Sequence, residues 1–313
     1  MLIKINLEIA ENFEVLNKLI TLIDLSEGQH SIYVPSPDIE SAIFKTLADH
    51  QHILELFKEL YEKAENNIAF KKVITFSENP ERDLSFSLND MYRILTSKAY
   101  VILENKISDL RFILLVLKVV NAKALIDSFE SFWEVESNGG CGEIPKLVDS
   151  ICSRSEFLKR VMVVHDSDKY FAADNLSTIQ VNIVNKCSAK GVECITLKKR
   201  EIENYIPDSY LIEKQIDCKD TQSLWASLSS VQKDFYDFKD GFKNKAANDT
   251  VYGGLYHNLK QEDIKLLNDG FGSKISDTAF EERNVDYFIK QYEYNRAVLS
   301  EFRSIKNALE RIL

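Results

Sequence analysis

A chain of 313 residues, 45% hydrophobic with 18 Phe and 13 Tyr, has material for about two domains with aromatic-rich cores. Its 10 Gly and 5 Pro are too few for a low-complexity chain, and a formal net charge of −10 excludes a general polyanion binder. The five cysteines show no two-residue spacing and no accompanying histidine cluster, which argues against a zinc site and a disulfide framework.

The opening stretch MLIKINLEIAENFEVL has no signal-peptide pattern. The longest apolar run, Phe112 to Val120, is interrupted by Lys118 and is too short for a bilayer. The expectation is a soluble cytoplasmic protein with no membrane partner. Residues 1–98 read as an N-terminal α+β lobe. Leu2 to Ile9 alternates as a strand, Ala10 to Ile23 has helical spacing, and Ser31 to Pro35 is a second strand stopped by proline. Asp38 to Glu65 is a long amphipathic helix or a helix pair. Lys71 to Phe76 is a third strand, Glu78 to Asp83 a polar boundary turn, and Asp83 to Ser97 a helical lead-in.

From Ala99 the pattern alternates regularly. Strand 100–104 is followed by helix 107–121, strand Phe129 to Val135, helix 143–158, strand 161–165, helix 172–190 and strand Glu193 to Leu197. This βαβαβαβ order over residues 99–207 predicts an α/β, Rossmann-like, mainly parallel sheet with helices on both faces. Residues 208–313 read as a C-terminal helical region, with helices over Asp217 to Lys239, Lys260 to Asn268 and Asn284 to Leu313. The last carries Phe288, Tyr292, Val298, Phe302, Ile305, Leu309 and Leu313 at helical spacing. It reads as a packed terminal helix, with a homo-oligomer contact as the alternative use of that face. No internal repeat is visible.

Two of the predicted strands end in carboxylates. AYVILENKISD, residues 99–109, stops its apolar run at Glu104 and turns into a helix that Ser108 or Asp109 can cap. VMVVHDSD, residues 161–168, ends in Asp166 and Asp168. Residues i and i+2 of a strand share a face, and carboxylates held that close repel unless a proton or cation separates them. Carboxylate oxygens suit a hard cation such as Mg²⁺; the plain alternative is a solvated turn. Open α/β sheets carry their chemistry at the carboxyl ends of strands, so the two ends are candidates for one site.

Other residues can join them. Glu201 and Glu203, in KKREIENYIP, follow the last strand, and Glu203 can reach the same edge. The loop Asn138-Gly-Gly-Cys-Gly142 precedes a helix N-terminus and is either a tight turn or part of the site. Cys141 has no histidine that the sequence places beside it, and His165 points away from Asp166 as a packed histidine. Lys239, in FYDFKDGF, either neutralises a phosphate or ends a solvated helix.

VILENKISD resembles the glutamate motif of TOPRIM domains, and VMVVHDSD their paired-aspartate motif. The REIENYIP and DFYDFKDGF segments look like the variant in OLD-family nucleases and related TOPRIM nucleases of bacterial phage defence. The resemblance spans about 99–245 and departs from the pattern at Asn105, where many members have glycine; asparagine tolerates the left-handed turn better than most residues. It implies a metal-dependent endonuclease acting on DNA or RNA with one or two Mg²⁺ or Mn²⁺ ions. Glu104 would then be a general acid/base or metal ligand, Asp166 and Asp168 metal ligands, Glu203 a support for a second metal, and Lys239 a phosphate contact. It also implies a separate ATPase or sensor as partner, because this chain carries no ATPase. A catalytically silent TOPRIM subunit and a primase- or topoisomerase-type enzyme stay open beside the nuclease.

Overall fold

A helix between two strands returns the chain to the same sheet edge, so the strands it joins run parallel. The computed structural model describes residues 1–6, 13–28, 30–66, 72–77, 80, 84–154, 159–243, 250–272 and 274–313, and it follows this rule in two separate sheets. The first holds β1 (Leu2–Asn6), β2 (Ser31–Tyr33), β3 (Val73–Ser77) and β4 (Ser85–Phe86) in the order β2-β1-β3-β4, every ladder parallel. Helices α1 (Phe13–Ser26), α2 (Pro37–Thr46), α3 (Gln51–Asn66) and α4 (Met91–Leu95) accompany it. The expected α+β lobe is therefore a parallel α/β unit.

Two local expectations change with it. The helical lead-in over Asp83 to Ser97 contains β4, because Phe86 packs beside Phe76 at 6.4 Å and Thr75 N–H donates to the Leu84 carbonyl at 2.8 Å. The Asp38 to Glu65 stretch is a helix pair, α2 and α3. The boundary turn at Glu78 to Asp83 lies outside the described residues except for Pro80, as do the ends of the first predicted strand and the start of the first predicted helix.

The second sheet follows the expected strand order with an added helix, α6, and a later start for the second strand and the last helix: β5 (Ala99–Ile102), α5 (Ser108–Val119), α6 (Lys123–Asp127), β6 (Trp133–Glu136), α7 (Ile144–Arg154), β7 (Val161–His165), α8 (Thr178–Lys190) and β8 (Glu193–Thr196). Its strands lie in the order β6-β5-β7-β8, all parallel. Successive strand residues face opposite sides. Met162 and Val164 join the core formed with α5, while Val161 and Val163 join the core formed with α7 and α8. All five residues of β7 are buried, as expected of a strand covered on both faces.

The chain after Pro207 forms α9 (Asp208–Lys214), α10 (Lys219–Ser227), α11 (Ser230–Asp234), α12 (Gln261–Leu266), α13 (Ile275–Ala279), α14 (Val285–Tyr292) and α15 (Arg296–Ile312). The helix expected over Asp217 to Lys239 breaks at Ser229. Its hydroxyl accepts from Gln232 N–H at 3.2 Å and the Gln232 side chain accepts from Ser229 N–H at 2.9 Å, a reciprocal cap. The terminal helix breaks likewise at Asn295, whose side chain accepts from Val298 N–H at 3.1 Å. Phe288, Tyr292, Val298, Phe302, Ile305 and Leu309 are buried inside the chain, in the core that also holds Val101 and Phe112. These helices thus form a layer over the second sheet.

Arg160, buried just before β7, ties three segments together. Its Nε donates to the Ile312 carbonyl at 2.9 Å, one terminal nitrogen to Ser97 at 2.5 Å and the other to Leu313 at 3.2 Å. Replacing Arg160 with Met strands these acceptors in a buried place and should cost about 3 kcal/mol. Urea unfolding measures this; a change within about 0.5 kcal/mol would mean that the carbonyls find other donors.

Candidate functional site

The strand order β6-β5-β7-β8 sends the chain from β5 to one side and from β7 to the other. The following helices α5 and α8 cover opposite faces, and a crevice opens between the carboxyl ends of β5 and β7. Glu104 follows β5 and Asp166 follows β7. Both line a cleft of about 470 Å³, together with Asp109, Gly139, Gly140, Glu203 and Lys239.

The turn after β5 is built by its own side chains. Asn105 Oδ1 accepts from Ile107 N–H at 2.9 Å and Ser108 N–H at 3.3 Å, and Asp109 Oδ2 accepts from Asn105 N–H at 2.9 Å. Asn105 therefore caps α5, the role expected of Ser108 or Asp109, and it does so without adopting a positive φ. Burial pushes the Asp109 carboxyl up to about 6; the Asn105 and Ser108 hydrogen bonds oppose the shift, and Glu104 and Glu203 add to it. Gly139 and Gly140, with φ of 79° and 90°, lead the neighbouring loop across the sheet edge. There Ser137 Oγ and Gly140 N–H donate to the Glu104 carbonyl at 2.7 and 3.3 Å.

Cys141 donates its thiol to Glu104 Oε2 at 2.7 Å. Burial, the Glu104 hydrogen bond and the nearby carboxylates push that thiol far above its ordinary value, the reverse of what a nucleophile needs. His165 is buried as expected, with Nδ1 2.9 Å from the Asp166 carbonyl and Nε2 2.9 Å from Thr196 Oγ1.

Asp166 and Asp168 separate. The strand ends at His165, so both lie beyond the pleat that would have put them on one face. Asp166 stays in the cleft, accepting from Ile202 N–H at 3.0 Å. Burial raises its carboxyl well above the ordinary range, and Glu203, Asp109 and Glu201 raise it further against Lys239. Asp168 has a φ of 52°, accepts from the Gln180 side chain on α8, and does not line the cleft. Burial raises its carboxyl against Arg200, and Glu104 adds to the rise, so it lies within electrostatic reach of the site.

Glu201 precedes and Glu203 lies within a short turn, Ile202–Tyr205, pinned where Asn204 Nδ2 donates to the Lys233 and Tyr236 carbonyls at 2.7 and 2.9 Å. Both glutamates are buried, and Lys239 reaches in between them. Its Nζ is 3.5 Å from Glu203 Oε1 and 3.7 Å from Glu201 Oε2. These are ion-pair separations outside good hydrogen-bond range, and Glu201 Oε2 and Glu203 Oε2 have no hydrogen-bond partner. Burial pushes Glu201 up to about 7; Lys239 and Arg200 oppose this, and Glu203 and Asp237 add to it. Burial lowers the Lys239 ammonium, yet Glu203, Glu201, Asp166 and Glu104 together carry it well above its usual value.

The backbone under Lys239 is held by two glycines. Gly241, at φ 61°, would place a Cβ 2.4 Å from the Asn268 and Leu267 carbonyl oxygens and the Gly270 nitrogen. Gly270, at φ 63°, faces the Phe238 carbonyl just as closely, and Phe271 N–H donates to that carbonyl at 2.7 Å.

Glu104, Asp166, Glu203 and Lys239 thus meet as expected. The sequence reading named Asp109 only as a helix cap and gave Arg200 no role. Buried Arg200 pairs with Asp237 at 3.0 Å and Glu201 at 3.4 Å, and lies 4.4 Å over the Tyr170 ring. It donates to the Asp168 and Lys169 carbonyls at 3.1 Å each. The run Lys198-Lys199-Arg200 marks a basic stretch, but nothing in it singles out the buried member.

Among the described residues, no three His, Cys, Asp or Glu side chains stand close enough to hold a metal ion as placed. The donors at and beside the cleft are nonetheless carboxylate oxygens, and Glu201 Oε2 and Glu203 Oε2 are buried without a hydrogen-bond partner; oxygen donors of this kind suit a hard divalent cation. Comparison of the chain with protein-family models, with curated proteins and with solved structures finds no match.

The raised carboxyls set a direction for stability against pH. Glu201, at about 7 instead of 4.5, and Asp109, at about 6 instead of 3.8, keep protons in the fold that the unfolded chain has already lost. Their contribution is full below those ordinary values and is lost as pH rises through about 6 and 7. Thermal melts in EDTA should show stability falling from about pH 5 to 8, with Glu201 accounting for on the order of 2 kcal/mol. The Glu201→Gln variant should show a shallower fall; an unchanged slope would mean that Glu201 ionises alike in both states.

Proposed function

We propose that the chain is a TOPRIM-type metal-dependent endonuclease, a phosphodiesterase that cuts or nicks DNA or RNA. The observation that carries this reading is the meeting of Glu104, Asp166, Glu203 and Lys239 in one cleft at the switch point of a parallel sheet, with buried carboxylate oxygens that lack a hydrogen-bond partner. Glu104, Asp166 and Glu203 would hold Mg²⁺ or Mn²⁺, and Asp168 would act from behind through its charge. A divalent ion held there supplies the charge that activates water and stabilises a leaving oxygen. Glu104, which follows β5 and accepts a hydrogen bond from the Cys141 thiol, would move a proton at the attacking water. Lys239 is the cation available to a phosphate oxygen. An ion at the carboxylates also lets a chain of net charge −10 hold a polyanion. The setting in phage defence, beside a separate ATPase or sensor, rests on the family resemblance.

One observation favours a catalytically silent subunit instead: Lys239 already stands as a cation between Glu201 and Glu203. The two readings part on one assay. Purified protein is incubated with plasmid DNA and with total RNA in Mg²⁺, Mn²⁺ or EDTA, beside Asp166→Ala and Glu104→Ala. The nuclease reading expects metal-dependent cutting that each variant lowers by ~10²-fold or more. Cutting that persists in EDTA or in both variants would overturn it, and absence of cutting in every condition would favour the silent subunit.

A further inference from the structure

We propose that Cys187 and Cys194 form a hydroperoxide-reactive thiol pair, which closes to a disulfide beside the strand end that leads to Asp166. The pair reacts whether or not the cleft binds a metal.

The fold brings the two residues together across a tight turn. Helix α8 ends at Gly191, in the left-handed region with φ of 63°, and Val192 N–H donates to the Cys187 carbonyl at 2.9 Å. The chain therefore folds straight back from α8 into β8, and Cys187, in the last helical turn, lies over the start of that strand. Within the sheet, Cys194 lies beside Val163 and Thr196 beside His165. Val163 belongs to the core under α7 and α8, which puts Cys194 on the face that α8 covers. Cys187 is fully buried in that core and Cys194 packs against it. Both are free thiols, and they share a hydrogen bond, so the sulfurs already stand in contact.

The two sulfurs are not alike. Cys194 sits on the outermost strand of the order β6-β5-β7-β8 and is half-buried, whereas Cys187 is closed off from solvent. A small peroxide reaches Cys194 first. His165 approaches the same sulfur. Its Nδ1 lies against the Asp166 carbonyl, which can only accept, so in the neutral ring Nε2 is the acceptor and faces Thr196 and Cys194. The Cys187 hydrogen bond holds the Cys194 thiol below its ordinary value against burial, and His165 adds to the lowering. Burial raises Cys141 and Cys152 instead. Cys152, on α7, lies within electrostatic reach of Cys187 and is the competing partner that a test must separate.

The chemistry consumes one hydroperoxide. The Cys194 sulfur attacks its distal oxygen; an S–O bond forms as the O–O bond breaks, and the alcohol or water departs with the thiol proton. Cys194 is then a sulfenic acid, oxidised by the electron pair that reduced the peroxide. The Cys187 sulfur attacks the Cys194 sulfur; the S–S bond forms as the S–O bond breaks, and water leaves with the Cys187 proton. The product ties α8 to β8 next to Thr196 and His165, the residues that adjoin the Asp166 backbone.

Peptide mapping of the folded wild-type protein tests this after treatment with hydrogen peroxide, the remaining thiols being alkylated before digestion. The expected product is a Cys187–Cys194 linkage that dithiothreitol cleaves. In Cys187→Ser the sulfenic acid at Cys194 has lost its partner, so dimedone should capture it at several-fold the wild-type level. A map in which Cys187 and Cys194 both remain alkylated, with or without oxidation of the exposed Cys218, would overturn the proposal. A linkage of either residue to Cys152 would overturn it too. Equal dimedone capture in wild type and variant would refute Cys194 as the sulfur attacked first. Should the variant not fold, the wild-type map decides alone.

Discussion

Several carboxylates facing one ammonium in a partly closed cleft is the electrostatic constraint on which this site depends. Bringing Glu201, Glu203 and Asp166 out of water costs several kcal/mol for each one that stays ionised, and one lysine cannot return it all. The chain answers by two routes. Some of the charge is met by fixed hydrogen bonds, as when Ile202 N–H donates to Asp166. Some is eased because burial lets the Asp109 and Glu201 carboxyls keep a proton to higher pH than they would in water.

Holding such a cleft open requires rigid surroundings. Arg200 joins the loop after β7 to the turn after β8 and to Asp237, and its own carbonyl accepts from Ser167 and Asp168 N–H at 3.0 Å each. An arginine suits this because its planar, always charged head can serve several acceptors at once. On the other side of the crevice, the capped turn of Asn105 and Asp109 and the loop through Gly140 fix the carbonyl and side chain of Glu104. The carboxylates therefore cannot drift apart to relieve their repulsion, which is the condition that keeps them perturbed.

The alternation of strands and helices from Ala99 to Thr196 was legible in the sequence because β5 and β7 are short apolar runs bounded by polar turns and the stretches between them carry helical spacing. The meeting of Glu104 with Asp166 followed from that order through the position of the switch point. The separation of Asp168 was not legible, since it depends on a single positive φ past the strand end and on Gln180 twelve residues later. Asp109 looked like a helix cap because its hydrogen bonds, to Asn105 and Ser108, are local ones, and its burial in the cleft has no mark in the sequence. The breaks at Ser229 and Asn295 were hidden for a related reason: serine and asparagine cap helices well, yet the apolar periodicity runs on across both positions. Phe86 belongs to a strand only because Phe76 lies next to it, and a two-residue strand has no period to read.

The two sheets share one strand order, β2-β1-β3-β4 and β6-β5-β7-β8, although the sequence shows no repeat. Topology alone therefore does not make the site. In the first sheet Ile3, Ile5, Ile74 and Phe76 are fully buried while Leu2, Lys4, Val73 and Thr75 remain half-exposed. In the second, every residue of β7 is buried, and helices close over both faces up to the strand end. A carboxylate at the end of a half-exposed sheet stays solvated and keeps ordinary chemistry. One at the end of β7 is drawn out of water by the helices on either side, and there its charge has to be answered by a neighbouring group or a proton. The difference between the two lobes lies in the second apolar face, and that face is written in the unbroken run Val161-Met162-Val163-Val164.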